Sequence, residues 1–113
     1  MGKNRDGLNI MADILQVANP SANQTKIMFG ANLSFSLLKK YLRKMVDAQL
    51  LIVADGKYVV TSNGRNFLKQ YIAIQDRYVE AQKTMEELDN KKERLKGSAN
   101  RIIFKNQNSI SAR

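Results

Sequence analysis

The sequence contains no cysteine and no histidine. That removes disulfides, thiol nucleophiles, imidazole general bases and the usual zinc ligand sets together. Catalysis would have to come from carboxylates, lysines or tyrosines. The 10 acidic residues are dispersed, and no pair of them has a context that suggests a cleft or a metal site. Neither enzymatic activity nor a cofactor is expected. No run approaches the roughly 18 apolar residues of a transmembrane helix. The start, Met1 to Asp6, leads into an amphipathic segment carrying Asp13, unlike a signal peptide. These absences point to a cytoplasmic protein. Proline is scarce, with a single residue, which suits a helix-rich fold.

What the chain does have is positive charge. Its 113 residues carry 19 Lys and Arg against 10 Asp and Glu, a formal +9, in a composition that is 43% hydrophobic and 26% charged. The length supports one domain plus an appendage. The charge favours polyanions, nucleic acid first and an anionic membrane surface second. Excess charge alone is weak, so its placement has to decide.

Leu8, Met11, Ile14, Leu15 and Ala18 form the apolar stripe of a first helix, with Asn4 or Asp6 as caps and Asn19-Pro20-Ser21 as its close. A short second helix follows at about 23–29, capped by Ser21 or Asn23, with Ile27 and Met28 buried and Gly30-Ala31-Asn32 as the next turn. Ser34 caps a third helix on which Phe35, Leu38, Tyr41, Leu42, Met45 and Val46 repeat at core-facing spacing. Its opposite face collects Ser36, Lys40, Arg43 and Asp47, flanked by Lys39 and Lys44. Two β-branched runs, Leu50 to Val53 and Tyr58 to Thr61, are joined through Asp55-Gly56, the strongest short hairpin signal. Thr61 then caps a fourth helix running to about Lys96, roughly 50 Å at 1.5 Å per residue, with Gly97-Ser98 as its stop. The remaining residues, 97–113, are polar apart from Ile102-Ile103-Phe104 and are expected to form a loosely ordered tail.

The order helix, helix, helix, hairpin is the winged helix-turn-helix arrangement, in which the third helix enters the DNA major groove and the wing reaches the backbone or minor groove. On that scheme Lys39, Lys40, Arg43 and Lys44 meet phosphates or guanine edges, and Ser36 takes a base edge or a phosphate. Lys57 beside the wing tip, Arg65 at the start of the fourth helix and Lys26 on the second are backbone candidates, or are simply exposed. Phe35, Tyr41 and Tyr58 resemble stacking platforms for single-stranded bases, but the spacing of Phe35 and Tyr41 assigns them to the core.

Along the fourth helix Phe67, Tyr71, Ile74, Tyr78, Ala81, Met85, Leu88 and Leu95 fall on one heptad seam, interrupted only by Lys92. Its alternating steps of four and three specify a coiled coil, hence a second copy of the helix. Large and small residues in the seam lean toward antiparallel pairing, Tyr packing over Ala.

Several stretches carry a family resemblance: Ile14-Leu15, Thr25 to Phe35, Lys40-Tyr41-Leu42, and the pattern Tyr-x-x-Thr-x-x-Gly-x-x-Phe-Leu over residues 58–68. The chain resembles the small archaeal winged-helix chromatin proteins written Sso-ten-a, and related one-domain archaeal regulators, over about residues 5–96. The resemblance implies a homodimer joined through an antiparallel coiled coil, with a winged head at each end binding duplex DNA in chromatin organisation or transcriptional regulation. Gln49 departs from the glycine frequent in that family after the third helix. The expected architecture is mainly α with a small β-hairpin: a winged domain at 4–64, a coiled-coil dimerisation helix at 65–96 and a tail at 97–113. The expected partners are double-stranded DNA and a second copy of the chain, with a nucleoid-associated location. The alternative keeps the fold but makes the basic face a protein-docking surface in a larger nucleic-acid-processing assembly.

Overall fold

A computed structural model describes residues 5–111, with side chains as far as residue 103 in the last helix. The elements are α1 (Gly7–Ala18), β1 (Ser21–Ala22), α2 (Gln24–Gly30), α3 (Phe35–Asp47), β2 (Leu51–Ala54), β3 (Lys57–Val60) and α4 (Ser62–Ser111). The chain divides into two compact units, Met1–Ile74 and Gln75–Arg113.

Each helix of the first unit starts where a short polar side chain can accept from the otherwise unpaired N–H groups of the first turn. Asp6 accepts from the Asn9 N–H at 2.8 Å, Asn23 from Lys26 at 2.8 Å and Ser34 from Leu37 at 3.3 Å. Asp6 and Asn23 are therefore the caps among the alternatives; Asn4 lies outside the described residues. Thr61 serves α4 in the same way, accepting from the Gly64 N–H at 2.9 Å while its hydroxyl donates to the Gln49 carbonyl at 2.6 Å. That second bond ties the start of α4 to the turn after α3.

The core lies between the three short helices and the sheet. Ile14, Leu15, Ile27, Leu38, Met45 and Leu51 are its largest fully buried side chains, and none of the described polar side chains is buried with them. Gly64 marks where α4 leaves this core, since a Cβ there would collide with the Leu50 carbonyl oxygen and press on Val60.

The wing is a sheet of three strands rather than two. β3 lies between β1 and β2, antiparallel to both, with Ser21 opposite Val59 and Leu51 opposite Val60. Ser21 was expected in a turn or as a cap; the backbone beside Pro20 instead continues the ladder, the Pro20 carbonyl accepting from the Val60 N–H at 3.0 Å. The hairpin turn places Asp55 and Gly56 at φ 52° and 72°, the positive values that this two-residue connection needs. Gln49 is also left-handed, at φ 63°. A glycine there would be unstrained, so the departure from the family pattern keeps the turn and accepts its cost.

Other expectations are corrected by packing. Leu8, in the first turn of α1, is exposed, while Ile10 and Ala12 are buried beside the expected Ile14, Leu15 and Ala18, so the buried arc is wider than the expected stripe and the core ends before the start of the helix. Phe35 is 55% exposed, not in the core. Helix α4 does not stop at Gly97-Ser98. Gly97 lacks the positive φ of a C-terminal cap, no proline follows, and a lone glycine costs a helix only about 1 kcal/mol. The segment expected as a tail is thus helical as far as Ser111. Ile102 and Ile103 of its apolar cluster are exposed, and the side chain of Phe104 lies outside the described set.

Arg5, ahead of α1, pairs with Asp13 at 2.8 Å and donates to the carbonyls of Ala31 and Asn32 at 2.8 and 2.9 Å. It holds the α2–α3 turn, where Asn32 sits at φ 54°.

Candidate nucleic-acid interface

Helix α3 turns Leu38, Leu42 and Met45 into the core. The opposite side is therefore free, and the structure gathers Ser36, Lys39, Lys40, Arg43 and Lys44 around one open hollow of about 330 Å³. All five side chains are exposed. Among the described residues the ion pairs are Arg5–Asp13 and Lys96–Glu93, so the cations of this face have no acidic partner.

Aromatic rings flank the face on both sides. The Lys39 ammonium lies 5.3 Å from the centre of the Phe35 ring, and those of Lys40 and Lys44 lie 5.6 and 5.4 Å from Tyr41. Tyr41 is packed against the core; Phe35 is not. A second hollow, of about 270 Å³, joins the α3 face to the wing, lined by Gln24, Lys39, Leu42, Arg43, Val46, Asp47, Val53 and Tyr58. Lys39 and Arg43 border both hollows. The recognition-type helix and the hairpin thus form one continuous surface.

The remaining candidates sit elsewhere. Lys57 is exposed at the first position of β3, paired with Ala54 directly below the turn. Lys26 is exposed near the start of α2. Arg65 donates to the Val60 carbonyl at 3.2 Å and lines a different hollow, with Asn19, Leu68, Lys69 and Ile72. Neither Lys26, Lys57 nor Arg65 borders the α3 hollows. Phe35, Gln24 and Val53 belong to the surface and were missed in the sequence. For Phe35 the available signal was its place directly after the cap, at the margin of the apolar stripe.

The seam on α4 divides into two parts. Phe67 packs against the core of the first unit, and the Tyr71 hydroxyl accepts from Asn9 Nδ2 at 2.8 Å. Ile74, Tyr78, Met85, Leu88 and Leu95 are exposed, Tyr78 by 67% and Leu95 by 71%. Because the helix continues through Gly97, the heptad also continues, placing Ala99 and Ile102 on the seam after Leu95.

Comparison with known proteins agrees with this geometry. Residues 4–78 match the winged helix-turn-helix family. The fold is similar to that of Sso10a-2, a DNA-binding protein from Sulfolobus solfataricus, with a TM-score of 0.61 and 25% identity over 74% of this chain and 96% of that one. The chain is also 33% identical over 67 residues to an uncharacterized protein of Methanocaldococcus jannaschii, covering 58% of this chain and 32% of that protein. It spans about a third of the length of that relative.

Proposed function

The chain belongs to the winged helix-turn-helix family, and from that premise we propose that it is a homodimeric duplex DNA-binding protein of the nucleoid, a chromatin protein or transcriptional regulator that works by binding alone. The observation that carries this reading is the set Ser36, Lys39, Lys40, Arg43 and Lys44 on one exposed face with no acidic partner. An α3 docked in the major groove brings these side chains to phosphates and guanine edges, and the wing, with Lys57 near its tip, then follows the backbone or minor groove. Lys26 and Arg65 would take outer phosphates. The similarity to a DNA-binding protein supports the same reading.

Dimerisation uses the exposed seam of α4. In a parallel, in-register pair Lys92 would meet its own copy at a core position, and Ala81 opposite Ala81 would leave a gap. An antiparallel pair with Tyr78 of one protomer over Ala81 of the other avoids both. It also sets Ile74 against Met85 and moves Lys92 from the centre of the interface to its ends, where its ammonium can reach water.

Mobility-shift titrations on unrelated duplexes at several salt concentrations test the proposal. If two heads each neutralise three or four phosphates, log affinity falls against log salt with a slope of roughly −5 to −7. Lys39, Lys40 and Arg43 changed together to Glu should reduce affinity by about two orders of magnitude or more, three charges being reversed on each head. A salt-independent affinity, or a triple variant that binds as well as wild type, would sink it. One uniform affinity across sequences identifies an architectural protein, and a spread of two orders identifies an operator.

A further inference from the structure

Phe35 occupies the first position of α3, directly after its cap Ser34, and its ring is 55% exposed. At about 100° per residue it stands within roughly 40° of Lys39 and 80° of Arg43 around the helix axis. The Lys39 ammonium lies over the ring, 5.3 Å from its centre. So the ring belongs to the margin of the basic face, at the end of the helix that reaches base edges when such a helix enters the major groove.

A phenyl ring can neither donate nor accept a conventional hydrogen bond. In the major groove the apolar group on the base edges is the C5-methyl of thymine, which distinguishes A·T from T·A and from both G·C orientations. We propose that Phe35 is a specificity-determining residue that reads thymine by packing its ring against that methyl, while Lys39, held over the ring, takes an adjacent phosphate or guanine edge. The proposal rests on α3 entering the major groove, as argued above. It adds thymine to the phosphates and guanine edges that Ser36 and the cations of α3 would take.

The test compares a mixed-sequence duplex with the same duplex carrying deoxyuridine for every thymine, a change that removes the methyl and keeps base pairing. Competition mobility shifts at fixed salt should show wild type preferring the thymine duplex about fourfold per engaged head, the transfer value of one buried methyl. Phe35→Ala should bind both duplexes equally, and Phe35→Leu should retain a preference. Because the ring is mostly exposed, a thermal melt of the Ala variant should match wild type; if that variant fails to fold, the wild-type comparison decides alone. Equal wild-type binding to the two duplexes, or a preference that survives in Phe35→Ala, overturns this proposal and leaves DNA binding intact. Failure of wild type to bind either duplex at low salt overturns both.

Discussion

The two units of the chain treat their apolar residues in opposite ways. Met1–Ile74 closes a core over which α1, α2, α3 and the sheet supply one another's cover, and among its described residues no polar side chain is enclosed. In Gln75–Arg113, by contrast, every residue whose burial is described is exposed except the partly buried Gly97 and Ser98, although Tyr78, Met85, Leu88 and Leu95 repeat on a single stripe. Isolated helices draw little stability from propensity alone, and most helical stability comes from packing an amphipathic face. A head is therefore complete in one copy, whereas the distal part of α4 leaves its apolar stripe uncovered, the face that the proposed pairing would bury.

The strongest way to break this contrast is to place charge on the seam. Met85→Glu with Leu88→Glu should convert the proposed dimer to monomer, since an unpaired buried charge costs about 3–5 kcal/mol; sedimentation equilibrium at micromolar protein reads the mass. An unchanged mass would mean that the stripe is not what pairs. Within the head the complementary change is Gly64→Ala, where the added Cβ would meet the Leu50 carbonyl and Val60. Overpacking of this kind should lower stability by about 1–3 kcal/mol, seen as an earlier urea midpoint. A smaller effect sharpens the same boundary. Gln49→Gly relieves a left-handed residue worth roughly 1–2 kcal/mol and gives back about 0.5–1 kcal/mol in unfolded-chain entropy, so the urea midpoint should rise slightly.

The elements with strong local chemistry were legible in the sequence. Ser34 and Asn23 cap, Asp55-Gly56 turns, and the cations of α3 share a face because helical spacing alone places them there. What was not legible depended on contacts across the chain. The strand at Ser21–Ala22 is two residues long and exists only because β3 has an edge for it. Phe35 had the spacing of a core residue, but at the first position of its helix the core ends before reaching it. Gly97-Ser98 looked like a stop because glycine often ends helices, yet an ending needs a left-handed cap, and this glycine has none. Tyr71 and Phe67 kept the heptad spacing, while Asn9 and the core of the first unit engage them first.

Arg5 changes the accounting of the chain's charge. Its guanidinium is committed to Asp13 and to the two carbonyls that close the α2–α3 turn, so this cation serves as a strut and adds little to the field that draws a polyanion. The turn it braces leads within three residues to Phe35. The alignment of the start of α3 is consequently governed from ahead of the first helix. A tag or fusion joined at that end would pull on Arg5, which is distant in sequence from Phe35 but braces the turn leading to it.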